Sequence, residues 1–144
     1  MALQKSDPFK KEKCADIKCT ICQTENGGDC RAIGITYQIE CNTEEECKHI
    51  YIGNTARNGY ARGEEHRSNL SNKNEKSVLW KHAQAKHPDK EPTYKMKVVD
   101  KCRNNPLERQ LYEAIRIRNA EATTLLNEKE EWNVIKIPRI QISF

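Results

Sequence analysis

The stretch "ITYQIECNTEEECKHIYIGNT", residues 35–55, decides how this chain folds. Its first seven residues alternate: Ile35, Tyr37, Ile39 and Cys41 share one face, and Thr36, Gln38 and Glu40 share the other. That period of two predicts a half-buried strand from Ile33 to Cys41. The acidic run "NTEEEC" turns the chain, and "HIYIG" at 49–53 predicts a second short strand, ended by Gly53 and Asn54. Together they make an antiparallel hairpin with a long loop, carrying Tyr37 on one strand and Tyr51 on the other. A helix over roughly 60–71 follows, and on it Arg62 and His66 stand four residues apart, on one face. Packing alone would explain the tyrosines. It does not easily explain the whole set.

Working outward, a second helix is expected over about 75–86, with Val78, Leu79, Trp80 and Ala83 inward and Pro88 as its stop. "TYKMKVVDKC" at 93–102 alternates again and predicts a third strand. "NNPLERQLYEAIRI" opens a helix with Asn105 as cap, Pro106 at the first position and Glu108 three after the cap. Leu107, Leu111, Ala114, Ile115 and Arg118 recur there at helical spacing. The order β-β-α-α-β-α-α implies an α+β fold, a small three-stranded antiparallel sheet with flanking helices. Residues 1–13 form a flexible polar lead-in, 14–32 a Cys-rich zinc-knuckle segment and 33–144 the main domain. The closing "IPRIQISF" alternates, but Pro138 limits it to an edge strand or an extended arm.

With 144 residues, 36% of them hydrophobic and 32% charged, the chain suits one domain with a modest core. No apolar run approaches the roughly 20 residues that span a bilayer. The N-terminus lacks the apolar stretch of a signal peptide, so an intracellular, reducing setting is expected. Net charge is +4, yet residues 48–103 alone carry +7 and all four histidines. That distribution suits either a phosphate-facing surface or a merely solvated one.

Six of the seven cysteines lie between Cys14 and Cys47. In a reducing setting, clustered thiols argue for metal before disulfide. Cys14-x4-Cys19-x2-Cys22-x7-Cys30 contains the close pair of a zinc knuckle plus a cysteine on each side. Four thiolates around Zn²⁺ would fold a segment too poor in apolar residues to fold by burial. Cys41-x5-Cys47 with His82-x4-His87 forms a second Zn²⁺ candidate, tying the hairpin to the second helix. Two structural zinc ions per chain are expected. Cys102 has no evident partner and reads as a small strand-end hydrophobe.

"ITYQIEC" and "HIYIGNT" together resemble the GIY-YIG endonuclease signature. Arg62 and His66 follow at the matching distance, Glu113 sits in the later helix, and Asn127 comes fourteen residues after it. The resemblance spans roughly residues 33–133. The first motif departs from the pattern, with Ile35 in the glycine's place and Gly34 one position early. The pairing of Cys41 and Cys47 with "HAQAKH" is similar to the Cys-Cys-His-His insertion in GIY-YIG domains of Penelope-like retroelements. The resemblance implies a single-metal DNA endonuclease with Glu113 on Mg²⁺ (or Mn²⁺) and Asn127 bracing the site. It also implies a nick leaving a 3′-hydroxyl that primes reverse transcription by a linked or partner reverse transcriptase, and hence a nuclear location.

The residues suit that chemistry. Arg62 offers a permanently charged planar fork to phosphate, and Glu113 can hold a divalent ion that keeps most of its waters. Tyr37, Tyr51 or His66 can serve as base, and the sequence leaves the choice open. Each residue also has a plainer role: Glu113 flanked by Arg109 and Arg116 as a surface ion-pair partner, Tyr37 as core, Arg62 and His66 as a solvated helix face. The enzyme reading requires five side chains to meet around one linkage. Glu113 on the far side of the sheet from both phenols would sink the enzyme reading and leave only the alternative, a non-catalytic zinc-stabilised nucleic-acid-binding module.

Overall fold

A computed structural model describes residues 14–102 and 105–127. The expected lead-in and the alternating tail lie outside the described residues. Three strands form one antiparallel sheet: β1 (Ile33–Cys41), β2 (Ile50–Asn58) and β3 (Tyr94–Lys101). Their order is β2-β1-β3, so β1 is central and the other two are edges. Directly opposed residues share a face. One face carries Tyr37 opposite Gly53 and Val98, then Ile39 opposite Tyr51 and Met96. The other carries Thr36 opposite Asn54 and Asp100.

The tyrosine face is covered by α1 (Thr20–Gln23), α2 (Gly59–Ser71) and α3 (Val78–Lys86). There Ile21, Ile35, Tyr37, Ile39, Leu79 and Met96 are almost fully buried, each aliphatic one contributing about 1.5–3 kcal/mol. The opposite face is covered by α4 (Pro106–Asn119), which lies against β2 and β1. The α+β class and the three-stranded antiparallel sheet agree with the expectation.

Several boundaries differ, each for a local reason. β2 does not stop at Gly53 and Asn54; it runs on to Asn58 and enters α2 directly. Gly53 is a packing glycine, because a Cβ there would lie 2.5 Å from the Tyr37 hydroxyl and 2.6 Å from its Cζ. The Asn58 side chain accepts from the Ala61 N–H and so fixes the start of α2. Similarly, Ser77 accepts from the Trp80 N–H, so α3 begins at Val78 rather than near residue 75.

Gly34 has φ +68° at a β-bulge, where the register shifts between Ile33 and Ile35. The bulge requires a left-handed residue, which accounts for the glycine standing one place early. The α4 start matches its cap: Asn105 Oδ1 accepts from the Leu107 and Glu108 N–H groups at 3.1 and 3.2 Å. Its inward face does not match. Leu107, Leu111 and Ile115 are 38–44% exposed, while Ile117 is buried. The helix is held to the sheet instead by Arg116 on Asp100 and by Glu113 on Asn54. No further helix follows among the described residues. Residues 120–127 turn and pair along the outer edge of β2, with Leu126 N–H donating to the Ile50 carbonyl at 2.7 Å.

Candidate active site and metal centres

Four of the expected site residues meet on the tyrosine face. Arg62 Nε donates to the Tyr37 hydroxyl at 2.9 Å, and that hydroxyl lies 2.9 Å from His66 Nε2. The Tyr37 and Tyr51 ring centroids are 6.4 Å apart, and the His66 ring lies edge-on to both, at 5.6 and 5.9 Å. Burial, reinforced by the nearby Arg62 charge, lowers the His66 pKa to about 4. The ring is therefore neutral at pH 7 and can accept from Tyr37 when Nε2 is its unprotonated nitrogen. Burial opposes the Arg62 charge, but attraction to Tyr37 and Tyr51 outweighs it and holds that pKa above the ordinary value. Arg62 Nη1 also contacts Glu65 at 2.5 Å. Beside this cluster a cleft of about 260 Å³ is lined by Tyr51, Arg62, His66, Asn69 and Lys76, among others.

Glu113 is not among them. Its carboxylate accepts from Asn54 Nδ2, and Asn54 pairs with Thr36 on the face away from Tyr37 and Tyr51. Strand parity is the reason: Asn54 is the immediate neighbour of Gly53, so its side chain points through the opposite surface. The convergence of five side chains within one cleft is therefore corrected to a four-residue cluster, with Glu113 across the edge strand. A single carboxylate suits only an ion that takes its remaining ligands from water and phosphate, as Mg²⁺ does. Asn127 is buried and bonds both polar groups of one β2 residue, accepting from Ile52 N–H at 2.9 Å and donating to its carbonyl at 2.7 Å. It thereby holds the strand beside Tyr51.

The four-cysteine group closes tightly. The sulfurs of Cys14, Cys19, Cys22 and Cys30 all lie within 4.8 Å of one another. Cys22 Sγ is 3.5 Å from Cys14 Sγ and 3.6 Å from Cys30 Sγ. A tetrahedral centre of four sulfurs, with Zn–S bonds of about 2.3 Å, needs edges of about 3.8 Å, so the set fits Zn²⁺ with slight expansion. The segment is fastened to the sheet: Met96 N–H donates to Thr24 Oγ1 at 3.2 Å and Val98 N–H to the Gly27 carbonyl at 2.7 Å.

The second group is equally compact, with one ligand atom each from Cys41, Cys47, His82 and His87 within 4.8 Å. Cys41 Sγ lies 3.6 Å from His87 Nε2, and Cys47 Sγ 3.4 Å from His82 Nε2. Those match the S···N edge of about 3.6 Å in a tetrahedral zinc site. Burial, with His49, His87 and Lys86 nearby, lowers His82 to about 4, leaving a neutral ring able to ligate. Glu44, in the sequence only part of a connecting acidic run, has a place here. Its Oε2 lies 3.2 Å from His87 Nδ1, a close contact not aligned as a hydrogen bond, and Lys90 Nζ holds Oε1 at 3.0 Å. A carboxylate behind a ligating imidazole orients the ring; the signal available was an acid three residues after Cys41. Cys102 is fully buried and belongs to neither group.

No protein-family model matches the chain, and no curated protein or solved structure matches it either. No helix among the described residues is long and apolar enough to cross a membrane.

Proposed function

We propose that this chain is a metal-dependent DNA endonuclease of the GIY-YIG type, nicking a strand to leave a 3′-hydroxyl. The observation that carries the reading is the hydrogen-bonded series Arg62–Tyr37–His66 beside a cleft with further cationic and amide groups. Arg62 and Lys76 hold the phosphate. Tyr51, which lines the cleft beside Arg62, acts as phenolate to take the proton of the attacking water, while the buried Tyr37 hydroxyl holds Arg62 and His66 in place. Arg62, whose charge also faces Tyr51, favours the phenolate this requires. Mg²⁺ bound by Glu113 would neutralise charge on the phosphate and the departing 3′-oxygen. A 3′-hydroxyl is the primer a reverse transcriptase needs, in keeping with a Penelope-like retroelement setting and a nuclear substrate.

Glu113 on the opposite face is the outcome set against the five-residue enzyme site and specifically favours the second reading, a zinc-stabilised nucleic-acid-binding module without catalysis. Cleavage of supercoiled plasmid with and without Mg²⁺ separates the two. The endonuclease gives Mg²⁺-dependent nicked circles. Glu113→Ala abolishes them at unchanged fold and zinc content, and Tyr51→Phe slows nicking by about 10²- to 10⁴-fold. Plasmid retained in a gel shift but never nicked leaves the binding module. Full activity in Glu113→Ala moves the metal to other ligands.

A further inference from the structure

A cavity of about 490 Å³ opens on the tyrosine face between α1, α2, α3 and β3. It meets the smaller cleft described above at His66 and Leu79, which line both. Its accessible apolar wall is Leu70, Pro92 and Tyr94, with the almost fully buried Ile39, Leu79 and Met96 beneath it. The Tyr94 hydroxyl donates to the Leu79 carbonyl at 2.7 Å, which fixes that ring along one wall. Polar groups enter from the sides, among them Gln23 and Thr93. The lining includes Lys18, Arg67 and Lys95 and no carboxylate. Gly63 also lines it and lets α2 pack close to Met96 and Thr20, since a Cβ there would stand 3.3 Å from Met96 Sδ and 3.6 Å from Thr20.

This volume falls within the roughly 300–1,000 Å³ of ordinary ligand sites. A flat heterocycle fits the chemistry, since apolar walls receive its faces and a few side groups meet its edge. Cations at the rim suit the phosphates on either side of such a base. We propose that the cavity receives one unpaired nucleobase, from the nucleotide next to the phosphodiester lying against Arg62. The proposal rests on the function proposed above and deepens it. The substrate it specifies is a strand with an extruded or unpaired nucleotide, so that His66 and Leu79 separate base from backbone.

The test measures binding without Mg²⁺, so that the DNA stays intact. Zinc-loaded protein is titrated with two labelled duplexes, one bulged at a single 2-aminopurine and one at a single abasic nucleotide. The bulges deform the backbone alike and differ only in the base. The 2-aminopurine duplex is expected to bind about tenfold more tightly, the scale of one base stacked on protein. Leu70→Trp and Thr93→Trp fill the cavity from two sides. Either folded variant should lose that preference while binding the abasic duplex within about twofold of the parent. Equal affinity of the parent protein for both duplexes overturns the proposal, as does a preference that survives both tryptophans. Binding of neither duplex overturns the function above as well, whereas base-independent binding with Mg²⁺-dependent nicking overturns the cavity assignment alone.

Discussion

The four-cysteine segment and the mixed cysteine–histidine group reach the same ligand compactness from opposite starting points. Around the first, Ile21 supplies most of the apolar burial within Cys14–Cys30, and the only helix there is the four-residue α1. Metal would give such a segment its fold, with apparent binding free energies of about 10–16 kcal/mol for small zinc modules. Around the second, the elements already have reasons to exist: β1 and β2 pair across the sheet, and α3 is capped by Ser77 and buries Leu79 and Ala83. Zinc there would join finished elements. The difference teaches that similar centres can do unlike jobs, one creating local structure and the other fixing the distance between a hairpin and a helix.

The most severe way to break this comparison is to remove one cysteine from each group. Cys19→Ser should release one of two zinc ions and abolish hydrogen-exchange protection across 14–30, with the β1–β2 ladder still protected. Cys47→Ser should also release one zinc ion, but lower the melting temperature of the whole domain by several degrees without melting 14–30. Mass spectrometry of exchanged, zinc-counted protein reads both. Indistinguishable exchange patterns would mean the two centres are equivalent after all.

A milder change sharpens it. Glu44→Gln removes the carboxylate behind His87 and should weaken zinc binding at the second group by about 10- to 100-fold. Competition with a chromophoric chelator should show the four-cysteine centre unchanged. The smallest effect concerns pH. The His66 pKa falls from its ordinary 6.5 to about 4 on folding, so between those values the unfolded chain binds the proton that the folded chain refuses. Stability from this residue is complete above about pH 6.5 and lost as pH falls toward 4, about 1–3 kcal/mol in all. Because acid also strips zinc, the quantity to measure is the difference between wild type and His66→Gln, which should shrink the slope of stability against pH. An unchanged slope would mean that His66 titrates alike in both states.

How much is legible in the sequence varies with the range of the interaction. Alternation marks β1, and the Asn105–Pro106–Glu108 cap marks the start of α4, because those signals are local. The second strand is longer than its sequence suggests because Gly53 resembles a breaker. Its real reason, the Tyr37 ring lying where a Cβ would go, is a cross-strand contact that the sequence does not display. The α4 face misleads for a similar cause: apolar spacing points to Leu107, Leu111 and Ile115, whereas the anchors are polar, Arg116 on Asp100 and Glu113 on Asn54. Both metal groups are readable because Cys and His are chemically restricted wherever they cluster. The side of the sheet that Glu113 occupies is not, since it depends on strand parity and helix placement together.

The carboxamide of Asn127 imitates a peptide unit, offering one acceptor and one donor to Ile52. With the backbone bonds of residues 124 and 126 to Ile50, it occupies the outward hydrogen-bonding groups along the first part of β2. An exposed rim of that kind would otherwise be a template for strand addition by a neighbouring molecule. One side chain thus guards the solubility of the sheet, and its loss would be felt first as self-association at high concentration.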